Sequence, residues 1–165
     1  MTIKELLINY KDVELTKEQE KQIKEYLNIK ENKKWRPEKE ELFYFITSLG
    51  EIQQDTTENT NNNFKIFTNN CFKTKEEAEF RLEQIKVYNE LKNFADENNG
   101  EMNWRNFHQY KYFIYLNYGD ECLSVSKYSS VQYQGTIYFT SEKLAEQAIK
   151  KVGADRIKKY LFGVE

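Results

Sequence analysis

The stretch FKTKEEAEFRLEQI, from Phe72 to Ile85, returns in outline as FTSEKLAEQAIKKV, from Phe139 to Val152. Each copy opens on an aromatic residue and places a hydroxyl two positions on, at Thr74 and Ser141. Each continues with Ala-Glu (Ala78-Glu79, Ala145-Glu146) and an aliphatic pair, Leu82 and Ile85 in one and Ile149 and Val152 in the other. A hydroxyl ahead of an amphipathic run is a helix N-cap, because its oxygen accepts from an unpaired N–H of the first turn. Thr74 has Glu77 at the third helical position, which makes a capping box; Ser141 has Glu142 in the first turn, where the helix dipole favours an anion. The phrase therefore predicts the same joint twice: a strand end, a cap and a helix packed closely through its alanine.

The flanking sequence repeats in the same order. Trp35-Arg36 precedes an aromatic strand, Phe43-Tyr44-Phe45-Ile46, and a turn at Gly50; Trp104-Arg105 precedes Tyr112-Phe113-Ile114 and a turn at Gly119-Asp120. FKIF, Phe64 to Phe67, reads as a further strand of the first half, with Leu123–Val125 and Val131–Phe139 as further strands of the second. The expected fold class is α+β, with two tandem β-β-β-α units produced by internal duplication. A helical N-terminal extension and linker spans 1–34, the first unit 35–100, and the second 101–165 with a C-terminal helix. The first long helix is expected to bury Ala78, Leu82, Ile85, Tyr88, Leu91 and Ala95 and to end near Asn98-Asn99-Gly100. The second is shorter, stopping at Gly153, and ADRIKKYLF adds a last turn or two before Gly163.

Ahead of these units, Thr16-Lys17-Glu18-Gln19 matches a capping box, and Ile23, Tyr26 and Leu27 supply a thin apolar stripe that ends near Asn28. Residues 2–10 fit a short helix or a strand equally. The charged run KENKKWRPEK, ending at Pro37, reads as a linker, and QQDTTENTNNN, from Gln53 to Asn63, as a polar loop at a hairpin tip.

Composition narrows the function classes. Aromatic residues are 15% of the chain and charged residues 32%, so large rings carry much of the core. A net charge of −2 excludes a globally basic nucleic-acid coat and falls short of an acidic DNA mimic, leaving any electrostatic partner to a local patch. Cys71 and Cys122 have no CxxC spacing and lie in apolar runs, which predicts reduced thiols. No signal-peptide core and no run of membrane length is present, so the expected setting is cytoplasmic, with no membrane partner.

Candidates for chemistry are few. His108 is the only histidine, no GxSxG elbow or glycine-rich phosphate loop occurs, and one histidine with two distant cysteines does not make a zinc shell. The expectation is a non-enzymatic protein with no catalytic residue, no metal and no cofactor. Two features suggest binding. Trp35-Arg36 and Trp104-Arg105 could stack a base or grip a protein loop, although their correspondence under the repeat favours each tryptophan plugging the start of its unit. Lys150, Lys151, Arg156, Lys158 and Lys159 cluster near the C-terminus, either to meet an acidic or phosphate-bearing surface or as the solvated side of a packed helix. Ile157 and Leu161 are expected to face the core, leaving Arg156, Lys158 and Lys159 free.

WRPEKEELFYFI followed by GEI, NNCFKTKEEAEFRLE, QGTIYFTSEKLAEQAI and GADRIKKYLFGVE together resemble uncharacterised proteins of phages and prophages of AT-rich Firmicutes. Those relatives usually carry a Lys-Gly turn before the first strand, where this chain has EKEEL. The resemblance transfers no activity to named residues, but it implies a setting in the host bacterial cytoplasm. Small phage accessory proteins of this kind often bind host machinery, and several inhibit host defences. The leading expectation is a stoichiometric, anti-CRISPR-like inhibitor whose partner is a host defence protein or ribonucleoprotein. Alternatives are a nucleic-acid-binding accessory protein, with an aromatic sheet stacking bases, and a sponge for a nucleotide signal.

Overall fold

Strand Leu42–Ile46 (β1) turns back through Gly50 onto Ile52–Thr56 (β2), antiparallel, with Tyr44 opposite Gln54. This hairpin opens the described part of the larger of two compact units, Met1–Trp35 and Arg36–Glu165. The computed structural model describes residues 16–19, 22, 35–57 and 62–164. In the N-terminal unit the Thr16 capping box forms as its spacing predicts: the Gln19 N–H donates to Thr16 Oγ1 at 3.3 Å, and the Thr16 N–H donates to Gln19 Oε1 at 3.0 Å. Residues 2–10, the stripe of Ile23, Tyr26 and Leu27, and the linker before Trp35 lie outside the described residues.

The larger unit is α+β, with two small antiparallel sheets. After β2 come Asn62–Phe67 (α1) and Lys75–Asn98 (α2), then the strands Lys111–Asn117 (β3), Cys122–Tyr128 (β4) and Tyr138–Phe139 (β5). Glu142–Val152 (α3), Ala154–Ile157 (α4) and a π-helical turn over Lys158–Phe162 complete the chain. The second sheet has the order β4-β3-β5.

The repeated joint has closely matching geometry in both halves. Phe139 lies opposite Tyr112 in β3, and Phe72 forms a single antiparallel bridge to Tyr44 in β1. Thr74 Oγ1 accepts the Glu77 N–H at 3.2 Å, and Ser141 Oγ accepts the Leu144 N–H at 3.3 Å. The Glu77 carboxylate reaches back to the N–H of Lys73, one residue ahead of the cap. Ala78 and Ala145 are both fully buried, so a larger side chain at either would push its helix off the neighbouring elements.

The first half departs from three expected strands. FKIF is helical, within α1, and Gln53–Thr56 pairs as β2 instead of looping. Where a third strand would run beside β1, the chain supplies one bridge at Phe72 and one carboxamide: Asn70 donates to the Ile46 carbonyl at 2.7 Å and accepts the Ile46 N–H at 3.0 Å. A side chain that satisfies both backbone groups removes the need for a strand there. In the second half the third strand is only Tyr138–Phe139, because the chain through Val131 is irregular and turns at Gly135 with φ 76°. The turn before β1 is made by Lys39-Glu40, with the Glu41 N–H donating to the Glu38 carbonyl and Glu40 held at φ 65°. That left-handed backbone costs a glutamate about 1 kcal/mol relative to glycine.

The larger core lies between the C-terminal half of α2, α3 and the inner face of the second sheet. Val87, Leu91, Phe94 and Ala95 of α2 meet Phe139, Ala145, Ala148, Val152 and Ile157. The expected stripe on α2 is thus corrected: Ile85 and Tyr88 are exposed, and the buried line runs through Val87 and Phe94 with Leu91 and Ala95. One helix serves two sheets, so its apolar face rotates along its length as its neighbour changes. Cys71 is buried and Cys122 exposed, neither in a disulfide. A stability cost for serine is therefore expected at Cys71 alone.

Candidate functional site

Alternation along β3 sends Tyr112 and Ile114 to the core, with Leu123 and Val125 of β4, and turns Phe113, Tyr115, Ser124, Ser126 and Tyr128 to the other face. On that outer face the rings touch in series. Tyr115 lies 6.4 Å from Phe113, which stacks on Tyr128 at 5.5 Å with planes 10° apart. Tyr133 meets Tyr128 edge-on at 5.5 Å, and Tyr138 links Phe113 to Trp104 at 5.9 and 4.9 Å. Tyr128 and Tyr133 are 39% and 46% exposed, so both rings keep part of their surface in contact with solvent.

The far end of the face is fixed by an unusual group. Lys111, fully buried, donates from Nζ to the carbonyls of Asn106 (3.1 Å) and Ser129 (3.3 Å), and its ammonium lies 5.2 Å from the centre of the Trp104 ring. A buried cation is costly unless it is bonded. Here it is, and in return it ties the loop carrying Trp104 to the turn after β4. Tyr138 adds a second tie: its hydroxyl oxygen accepts the Tyr133 N–H at 2.7 Å. The Tyr128 hydroxyl bonded to Tyr133 holds the Tyr133 phenol above the usual tyrosine range.

Electrostatics mark the same region. No aspartate or glutamate occurs between Glu101 and Asp120, or between Glu121 and Glu142, in a chain whose acids and bases otherwise nearly balance. Arg105 and Lys127 are the cations of these segments outside the buried Lys111. Arg105 and His108 are exposed in the loop beside Trp104, and the Arg105 side chain has no ion pair among the described residues. Lys127 sits at the sheet edge, 4.6 Å from the centre of the Tyr110 ring.

The first sheet has no such open face. Phe43 is fully buried, and Lys65 of α1 lies 3.5 Å from the centre of the Phe45 ring while pairing with Asp55 at 2.7 Å. Arg36 donates to the Ile66 carbonyl at 3.0 Å, at the end of α1. On its other side, a shallow concavity of about 440 Å³ is lined by Tyr44, Ile52, Gln53, Gln54 and Lys75, and Lys75 pairs with Glu79 at 3.2 Å.

The sequence candidates are thereby sorted. Trp104 plugs the start of the second half against Tyr138 and Lys111, while Trp35 is half-buried at the end of the N-terminal unit. Arg156 is not free, which corrects the expectation that it projects into solvent. It forms a two-pronged pair with Glu90, both contacts 2.9 Å, and reaches Glu83 at 3.5 Å. This clamp, with Gln84 donating to the Tyr160 carbonyl and Phe80 against the Tyr160 ring, docks the C-terminal segment on α2. Lys158 pairs with Asp155 at 3.4 Å, and the Lys151 ammonium lies 5.2 Å from the centre of the Phe94 ring. Ile157 is buried as expected, but Leu161 is exposed, because the π-helical turn rotates it away. Among the described residues Lys150, Lys151 and Lys159 have neither an ion pair nor a side-chain hydrogen bond, and the Lys159 ammonium lies 5.8 Å from the centre of the Tyr160 ring. His108 is exposed, with no catalytic arrangement around it.

The Arg156 clamp has a pH signature. Hydrogen bonding to Arg156 holds Glu90 below the ordinary carboxylate range, and bonding to Lys86 and then Arg156 does so for Glu83. A depressed folded value means that the stabilisation is complete above the unfolded value, about 4.3, and is lost as pH falls through the folded one. Arg156→Ala is expected to lower the melting temperature at pH 7 by about 2–4 °C, corresponding to about 1 kcal/mol for a partly exposed network. The difference from wild type should shrink below about pH 4, measured by thermal melts across the range. A difference that stays constant through that window would show that the clamp is not what the substitution removed.

Among the described residues no group of histidine, cysteine and acidic side chains could hold a metal ion, and no helix is long and apolar enough to cross a membrane. No protein-family model matches the chain, and neither does any curated protein or solved structure. The outer face of the second sheet carries aromatic rings and the small hydroxyls of Ser124 and Ser126, with Arg105 exposed in the loop beside it. Sequence reasoning passed over Lys111, Phe113, Tyr115, Tyr128, Tyr133 and Tyr138. The signal that would have found them is the gap in carboxylates combined with period-two aromatics.

Proposed function

We propose that this protein is a non-enzymatic binding protein that occupies a host macromolecule stoichiometrically through the outer face of the second sheet. The observation that carries the proposal is the continuous series of partly exposed rings built by two segments without carboxylates, with the far end of their face pinned by the buried Lys111. Clustered aromatic side chains on a fixed backbone lose little conformational freedom on binding and are enriched at binding hot spots. The resemblance to phage and prophage proteins supports a setting in the bacterial cytoplasm, with a host defence protein or ribonucleoprotein as partner and inhibition by occupancy as the mechanism. Lys150 and Lys159, with Lys151 and Lys158, are then accessory contacts that steer association. The matched joints at Phe72 and Phe139 favour a duplicated origin in which the first face became covered by α1 and the second stayed open.

The test is affinity capture from the bacterial host, comparing wild type with two double variants, Tyr115→Ala with Tyr133→Ala and Lys150→Glu with Lys159→Glu. The face variant should lose partner affinity at least about tenfold while melting close to wild type, and the lysine variant should lose less. Full retention by a folded face variant, with loss in the lysine variant, would move the site to the C-terminal segment.

A further inference from the structure

Building on the reading of this face as the binding surface, we infer that the occupant of the second sheet is single-stranded nucleic acid, with unpaired bases stacked on Tyr115, Tyr128 and Tyr133. Three observations converge on that ligand. The rings form one continuous series, from Tyr115 through Phe113 and Tyr128 to Tyr133, with neighbouring centres 5.5 to 6.4 Å apart and planes tilted by 51°, 10° and 73°, so that bases meet separate rings of one platform. Every base presents a π-face, so such a platform accepts bases without regard to sequence. Second, charge is complementary to phosphate: both segments that build the face, Met102–Gly119 and Cys122–Ser141, contain no carboxylate, although the whole chain is net acidic. A polyanion therefore meets no carboxylate from these two segments across the rings, and Arg105, in the loop beside Trp104, is exposed to receive a phosphate. Third, the polar groups among the rings are Ser124 and Ser126, small hydroxyls on strand β4 opposite Tyr115 and Phe113 that donate and accept without excluding a flat base.

A protein loop would use the rings equally well, but it gives no reason for the carboxylates to be missing. Duplex nucleic acid fits poorly, because its bases are already stacked and only phosphates would reach the sheet. Lys111 contributes positive field and not a contact, since its ammonium is bonded to two carbonyls beneath the surface.

The test uses the full chain and a fluorescently labelled oligo(dT) of about 12 nucleotides, within the span one small sheet domain covers, followed by anisotropy. Saturable binding is expected, with duplex DNA of equal length competing at least about tenfold more weakly. One or two phosphate contacts should give a slope of log affinity against log salt between about −0.7 and −1.4. Tyr133→Ala and Tyr115→Ala should each lower affinity roughly tenfold, Tyr133→Phe should retain it, and Arg105→Gln should reduce the salt slope. Absence of oligo(dT) binding by folded wild-type protein at low salt would overturn the inference, as would binding that survives both alanine variants. If oligo(dT) fails while the face variants still lose the captured partner, the occupant is a protein, and the inference falls while the proposed binding face stands. If the face variants are neutral in both experiments, the proposed face falls as well.

Discussion

Phe139→Ala is expected to remove about 3–5 kcal/mol of stability, and Phe72→Ala no more than about half of that, although the two residues hold the same place in the repeated phrase. Phe139 has no exposed surface and lies against Phe94, with ring centres 6.4 Å apart, in the largest core. Truncation leaves a cavity lined by α2, α3 and the sheet, and those elements are too interlocked to collapse into it. Phe72 is only half-buried, and its backbone bridge to Tyr44 survives any side-chain change. Urea titration of both variants measures the contrast. Equal losses would show that the halves are energetically equivalent and that the burial difference does not govern stability.

Lys111→Glu is expected to disrupt the second sheet's outer face at pH 7, at a cost of about 4 kcal/mol or more, while Lys111→Met costs about 2 kcal/mol. The methionine preserves the stem's packing but leaves the Asn106 and Ser129 carbonyls without their donor. The glutamate turns a charge of the wrong sign toward those same oxygens. Its folded pKa would be raised by burial and by the carbonyls, so the folded state would hold the proton more tightly than the unfolded one. Stability of this variant should therefore rise as pH falls from 7 toward the unfolded value, about 4.3, opposite to the trend of the Arg156 clamp. Melting curves of the two variants at pH 7 and 5 decide the matter. A glutamate variant as stable as wild type at pH 7 would mean that the buried ammonium has no structural role.

Both expectations depend on how far the repeat extends into three dimensions. Residues Phe72–Ile85 and Phe139–Val152 were legible because caps, helix starts and strand ends are local: a hydroxyl side chain two or three residues from an N–H needs no distant partner. The Thr16 box was legible for the same reason. FKIF was not, because four residues are too few to fix a hydrophobic period, and the choice fell to Lys65 meeting Asp55 and Phe45 from a helix. Gln53–Thr56 reads as a loop by composition and becomes a strand because β1 offers it a register.

The candidate site divides along the same line. Aromatic content, the lysine-rich C-terminus and the paired Trp-Arg steps are properties of the sequence. Which of those cations remain unspent was decided by packing, since Arg156 finds Glu90 and Glu83 on a helix far away in sequence. Which aromatic face stays open was decided by α1, whose Lys65 lies over Phe45 of the first sheet and which has no counterpart over the second among the described residues. Local hydrogen bonding therefore fixed the repeated joints from sequence alone. The exposed ring platform and the buried lysine beneath it depend on contacts between β3, β4 and the loops beside them, and only the tertiary structure brings those together.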